Sequence, residues 1–143
     1  MICADTSFLF SLYGNDVHSP RALAWANGNR TPLTLSTLNE YELANALRFA
    51  EFRKGIAPGA AAVYWSQVEA DLAGGRLISQ ICNLADVVDV AKRLSATYTL
   101  GGGHRGFDIL HVGVALHWKA SEFLTFDENQ KSLATAEGLR VPV

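Results

Sequence analysis

The chain starts with MICADTSFL (residues 1–9), a stretch that places an acid between a short apolar run and an apolar helical pattern. Residues 1–4 have the length and the apolar character of a buried strand. Asp5, Thr6 and Ser7 follow, and these residue types cap helices because their side chains accept hydrogen bonds from free backbone N–H groups. The stretch therefore predicts a strand, a cap and a helix in succession.

The same succession recurs along the chain. Residues 32–35 form a short apolar run before Ser36, residues 76–80 alternate like a strand, and residues 123–126 form an apolar run that ends at Asp127. Helical patterns are predicted at residues 8–13, 22–26, 38–54, 58–72, 85–97 and 107–118, and after Asp127. Short strands that alternate with helices imply a three-layer α/β/α domain with a mostly parallel central sheet.

Length and composition fit one domain that covers residues 1–143. Of these residues 49% are hydrophobic and 18% are charged, and no stretch approaches the roughly 20 apolar residues that cross a bilayer. The first residues lack the basic and long apolar segments of a signal peptide. Cys3 and Cys82 lie far apart in apolar stretches, which favours reduced core thiols over a disulfide or a zinc site. We therefore expect a cytoplasmic protein without membrane association.

Acidic residues fall where such a fold binds ligands. In open parallel sheets ligands bind beyond the carboxyl ends of the strands, and Asp5 and Asp127 each follow a predicted strand. An alternative for both is an ordinary helix N-cap. Asp108 lies one turn before His111 in a helix that is apolar nearly all round, and a buried carboxylate requires a partner or a metal ion.

Glu42 lies on the helix that follows the second predicted strand, with Asn45 one turn further along the same face. Glu40 points elsewhere, so the pattern admits only one of the two glutamates, and we favour Glu42; the alternative is a solvated helix face. Four carboxylates brought together would repel one another unless a cation lay between them. Their oxygen atoms favour Mg²⁺ or Mn²⁺, ions that support the hydrolysis of phosphodiesters.

Taken in order, the acidic motifs resemble those of the PIN domain and, more closely, those of VapC-type toxins of type II toxin-antitoxin systems. The motifs are DTSFL (residues 5–9), ELANAL (42–47), DILHV (108–112) and FLTFD (123–127). The resemblance extends over nearly the whole chain. It implies a PIN-like fold and a metal-dependent endoribonuclease in which four acids hold Mg²⁺ or Mn²⁺ and activate water: Asp5, Glu42, Asp108 and Asp127.

The resemblance also implies partners, which are an RNA substrate, a cognate antitoxin protein that blocks the site, and a second toxin copy in a homodimer. Small polar residues are expected to support the acids through hydrogen bonds: Thr6, Ser7, Asn45 and Thr125. His111 is expected to have a supporting role. Arg48 and Arg105 are candidate contacts to the RNA backbone.

Two other functions stay open, namely a PIN-like module that binds RNA or protein without cleaving it, and a metal-dependent phosphatase. The run GGGHRG (residues 101–106) matches a dinucleotide-binding pattern, but it follows a helical pattern where that motif requires a strand. The net charge of −2 does not indicate a nucleic-acid binder. Setting aside the four proposed ligands, however, leaves ten acids against 12 basic residues. The rest of the surface is therefore mildly basic.

Overall fold

Four short parallel strands form the centre of the molecule. A computed structural model describes residues 1–143, with strands β1 (Ile2–Ala4), β2 (Leu33–Leu35), β3 (Leu77–Ser79) and β4 (Glu122–Leu124). Their order in the sheet is β3-β2-β1-β4, and every pairing is parallel. The predicted α/β fold is confirmed, and the sheet is wholly parallel.

Helices connect the strands and follow most of the predicted patterns. They are α1 (Thr6–Tyr13), α2 (Ser19–Gly28), α3 (Thr37–Phe52), α4 (Ala60–Ala73), α5 (Leu84–Leu94), α6 (Leu100–Gly102), α7 (Gly106–His117) and α8 (Glu128–Ala136). The side chains of Asp5, Ser36 and Asp127 accept hydrogen bonds from the first turns of α1, α3 and α8. These caps satisfy N–H groups that have no partner within the helix.

The sheet separates two apolar cores, because successive residues of a strand point to opposite faces. Ile2 and Ala4 contribute to a core with α1, α2, α3 and α4, whereas Cys3 and Phe123 contribute to a core with α5, α7 and α8. Phe8 and Phe123 are completely buried, and each such side chain stabilises the fold by roughly 1.5–3 kcal/mol. Helices therefore cover both faces of the sheet and form the outer two of three layers.

Strand β4 ends at Leu124, two residues before the end that the sequence predicted. The Thr125 hydroxyl accepts a hydrogen bond from the N–H of Asp127 at 3.0 Å, and the N–H of Phe126 donates to the Ser7 hydroxyl at 2.9 Å. Side-chain oxygens thus take the N–H groups that a longer strand would give to its neighbour. The prediction of strand through Phe126 is wrong for this reason.

Two further predictions differ in detail. The predicted helix 85–97 is α-helical only to Leu94 and continues as a π-helical turn, Ser95–Thr99. Both cysteines are free thiols, but only Cys3 is in the core, while Cys82 is partly buried in the loop after β3. Measured against the length and apolar character needed to cross a bilayer, every helix of the structure falls short.

The strand order places a topological switch point beside β1. The chain passes from β1 to β2 and β3 on one side and then returns to place β4 on the other side. Connections that diverge in this way leave a crevice at the carboxyl ends of the two neighbouring strands, here β1 and β4. Asp5 follows β1 and Thr125 follows β4, so the crevice between them is where the predicted acidic residues meet.

Candidate active site

Asp5 is completely buried in this crevice. Its Oδ1 accepts a hydrogen bond from the N–H of Phe8 at 2.9 Å, and its Oδ2 accepts from the Thr125 hydroxyl at 2.8 Å and from the Gln130 amide at 2.6 Å. The Ser7 hydroxyl lies 2.8 Å from both carboxylate oxygens. Asp5 is therefore the N-cap of α1 and, at the same time, the point where β1, β4 and α8 meet.

Burial raises the pKa of Asp5 to about 6, although hydrogen bonds from Phe8, Thr125 and Ser7 oppose the rise. Desolvation penalises the charged form of a carboxylate, whereas a nearby cation would favour it. A shifted pKa in a crevice is typical of a functional site, because few structural carboxylates are buried at this cost.

This raised pKa predicts a pH-dependent stability of the metal-free protein. Because the folded pKa of about 6 exceeds the ordinary value of 3.8, the stabilising contribution of Asp5 is complete below the ordinary pKa and is lost as the pH rises through about 6. In EDTA, we expect the protonation of Asp5 to make the free energy of unfolding roughly 2 kcal/mol larger at pH 4.5 than at pH 7. Urea unfolding of the wild type and of Asp5→Asn at both pH values measures this increment. The same pH dependence in both proteins would contradict the expectation.

Asp108 and Asp127 reach the crevice from α7 and from the start of α8. The Gln130 amide that donates to Asp5 also donates to Asp108 Oδ1 at 3.3 Å. Arg105 donates through Nε to Asp108 Oδ2 at 2.8 Å and through Nη2 to Asp127 Oδ2 at 3.4 Å. The Gln130 amide therefore bridges Asp5 and Asp108, and the Arg105 guanidinium bridges Asp108 and Asp127.

Glu42 reaches the crevice from α3 and is held by a chain of polar groups. Its Oε2 accepts a hydrogen bond from the Thr6 hydroxyl and lies 2.5 Å from Nε2 of His111. Asn39 accepts the N–H of Ser36 on Oδ1, which leaves its amide nitrogen to donate to Nδ1 of His111 at 3.1 Å. Nε2 of His111 therefore carries the proton and donates to Glu42.

This proton on His111 has an electrostatic consequence. Although desolvation acts to raise it, the hydrogen bonds from His111 and Thr6 hold the pKa of Glu42 below its ordinary value. Both bonds go to Oε2, so Oε1 is the oxygen that remains available. Glu42 is thus kept ionised with one free carboxylate oxygen.

Glu40, Asn45 and Arg48 of α3 lie outside this cluster. Glu40 accepts a hydrogen bond from the Ser79 hydroxyl at the end of β3, so the geometry favours Glu42. Asn45 and Arg48 are exposed, and Arg48 forms no ion pair. Helix α3 begins at the carboxyl edge of the sheet, and each turn carries the chain further from that edge. Both residues follow Glu42 and lie beyond the crevice.

Two buried residues of the site were missed by the sequence analysis, namely Asn39 and Gln130, each 3% exposed. A local signal existed for both. Asn39 completes a capping box with Ser36, and Gln130 is the third residue after the Asp127 cap. Side chains at this position of a helix reach back towards its N-terminus, which here is the carboxyl edge of the sheet.

The donor set fits a hard divalent cation. Carboxylates supported by hydroxyl groups are the ligands that Mg²⁺ and Mn²⁺ prefer. As the side chains stand, no three acidic, histidine or cysteine side chains converge at coordination distances, because Gln130 and Arg105 bridge the carboxylates instead. The guanidinium of Arg105 shows that positive charge is accommodated between Asp108 and Asp127. A bound cation would take over the bridging that these donors provide.

Comparisons with known proteins agree with this architecture. One similar solved structure is FitAcB from Neisseria gonorrhoeae, with a TM-score of 0.68 and 17% identity over 99% of this chain and 96% of that one. Another is VapC20 from Mycobacterium tuberculosis, a Sarcin-Ricin loop cleaving toxin, with a TM-score of 0.65 and 15% identity over 97% of this chain and 96% of that one. VapBC2 from Rickettsia felis, solved with a DNA fragment from the VapBC2 promoter, has a TM-score of 0.65 and 16% identity over 99% of this chain and 97% of that one. At these identities the likeness shows the fold.

A family model decides the relationship at the level of sequence. Comparison with curated protein sequences gives no match. The family model of the PIN domain, however, matches residues 2–136, a segment that contains all four acids of the crevice. The chain therefore belongs to the PIN domain family.

Proposed function

We propose that this protein is a metal-dependent endoribonuclease of the VapC toxin type, which acts through a single domain over residues 1–143. The observation that carries the proposal is the convergence of Asp5, Asp108 and Asp127 at the switch point of the sheet, with Glu42 held beside them by His111. Membership of the PIN domain family supports nuclease chemistry. The structural likeness to VapC20, a Sarcin-Ricin loop cleaving toxin, supports RNA as the substrate.

Each side chain has a distinct part in this chemistry. Asp5, Asp108 and Asp127 would hold Mg²⁺ or Mn²⁺ directly, and Glu42 would hold it through a bound water; the ion would polarise a phosphoryl oxygen and lower the pKa of that water. The Thr125 hydroxyl orients Asp5. Oε1 of Glu42 accepts a proton from the attacking water, since His111 and Thr6 occupy only Oε2. Arg105, once it leaves Asp108, can bind a substrate phosphate.

The proposal extends to partners. A cognate antitoxin protein would block the crevice, and the structural likeness to VapBC2 of Rickettsia felis supports such a pairing. We also propose a homodimer of the toxin. Because the proposed substrate is RNA, we propose that the protein acts in the cytoplasm.

Cleavage of labelled RNA in the presence and absence of divalent ions tests the proposed function. We expect cleavage in Mn²⁺ or Mg²⁺, its loss in EDTA, and its return when the metal is added back, because the carboxylates cannot stabilise a phosphorane-like charge without a cation. Binding of RNA without cleavage in every divalent ion would indicate a non-cleaving module. Hydrolysis of p-nitrophenyl phosphate in place of RNA would indicate a phosphatase.

A further inference from the structure

Two exposed aromatic side chains border the crevice. Tyr41 precedes Glu42 and Phe107 precedes Asp108, and the two aromatic residues are 64% and 38% exposed. Their ring centroids lie 6.5 Å apart although the rings belong to α3 and α7. The Phe107 ring also lies 6.1 Å from the ring of His111, the residue that donates to Glu42. The pair is thus connected to the same groups that hold the acids.

Packing within the fold does not account for this pair. Neither ring belongs to one of the two apolar cores, and large aromatic side chains left in water forfeit the free energy of burial. Glu42 and Asp108 follow the two rings in the sequence, and Arg105, whose side chain is 74% exposed, comes two residues before Phe107. Cores of protein–protein interfaces are depleted of charged residues, whereas sites for single-stranded nucleic acid combine aromatic rings with cations. The surroundings therefore favour a nucleic acid over a protein as the occupant.

We propose that Tyr41 and Phe107 form a stacking platform for an unpaired RNA base next to the phosphate on which the carboxylates act. A base lies one sugar away from its phosphate, and each ring belongs to the residue directly before a site acid. In an A-form duplex the faces of the bases are already stacked on one another, whereas loops and single strands can present them. The platform rests on the proposed nuclease function and adds to it the two side chains that hold a base beside the cleaved bond.

Alanine variants of the two rings test the platform, and the chain offers a matched control. Phe49 lies on the same helix as Tyr41, is 52% exposed and pairs with Phe52 at 6.0 Å between centroids, but it lies about two turns beyond Glu42. The probe is a single-stranded RNA that carries 2-aminopurine, bound in Ca²⁺ to slow cleavage; its fluorescence falls when the base stacks on a ring. A fully paired duplex with the same base is the second probe.

We expect Tyr41→Ala and Phe107→Ala each to weaken binding of the single-stranded probe by roughly 5- to 150-fold, the effect of losing one base–aromatic stack, and to reduce quenching. Phe49→Ala and Tyr41→Phe should bind like the wild type, and the duplex should not be quenched. In cleavage assays with Mn²⁺ the two alanine variants should raise KM more than they lower kcat. Circular dichroism checks that each variant folds, as is expected for exposed positions.

The alternative results are distinct. Binding and quenching by both alanine variants at the wild-type level would overturn the platform. A change of oligomeric mass in light scattering, with RNA binding unchanged, would assign the rings to a protein interface and also overturn it. Failure of the wild type to bind or cleave any RNA in Mn²⁺ would instead overturn the proposed function, and the platform with it.

Discussion

The Asp5→Asn variant is expected to lose RNA cleavage by about 1,000-fold or more, since a bound divalent ion supplies several kcal/mol of transition-state stabilisation. Asn keeps the size of Asp and still accepts the N–H of Phe8 at the start of α1. In either orientation of the new amide, its nitrogen faces another donor, Gln130 or the Phe8 N–H, which costs stability. Removal of a buried charge offsets part of this loss. The fold should therefore persist while the affinity for Mn²⁺ falls.

The measurements are RNA cleavage rates and Mn²⁺ titration by calorimetry. Asp89→Asn is the matched control, because Asp89 is 75% exposed and pairs only with Lys92 on the surface of α5. Its cleavage rate and Mn²⁺ affinity should equal those of the wild type. Wild-type cleavage by Asp5→Asn would place the chemistry outside the crevice.

The second large effect is expected at Glu42. Glu42→Gln should lower kcat by about 100-fold or more, the typical contribution of a general base, because the amide cannot accept a proton on Oε1 as the carboxylate does. Glu40→Gln is the matched control two residues away, where the side chain bonds to Ser79. Its kcat should stay at the wild-type value.

Steady-state kinetics of both glutamine variants decide between the two glutamates. A fall in kcat confined to Glu40→Gln would reverse the assignment. Equal losses in both variants would indicate that the start of α3 as a whole, and not Oε1 of Glu42, supports the reaction. Circular dichroism and thermal unfolding show whether either variant disturbs α3.

Local patterns in the sequence carry most of the fold. Apolar runs followed by Asp5, Ser36 and Asp127 predict strands that end at caps, and the structure has a strand and a capped helix at each of these places. A side chain that bonds its own helix start acts over three residues, so the sequence is sufficient to predict it. Because the strands are parallel, their carboxyl ends meet at one edge, and this also predicts that Asp5 and Asp127 approach each other.

What the sequence by itself determined is therefore the alternation of strands and helices, the caps and the edge at which the acids gather. Only the tertiary structure decided how these acids are connected. Glu42 rather than Glu40 meets His111, 69 residues away, and the Gln130 amide joins Asp5 to Asp108 across 125 and 22 residues. Helical spacing predicts the face of the helix on which a side chain lies. The residue that this side chain contacts depends on the order in which the strands pair. That order is set by the burial of both sheet faces, a property of the whole chain.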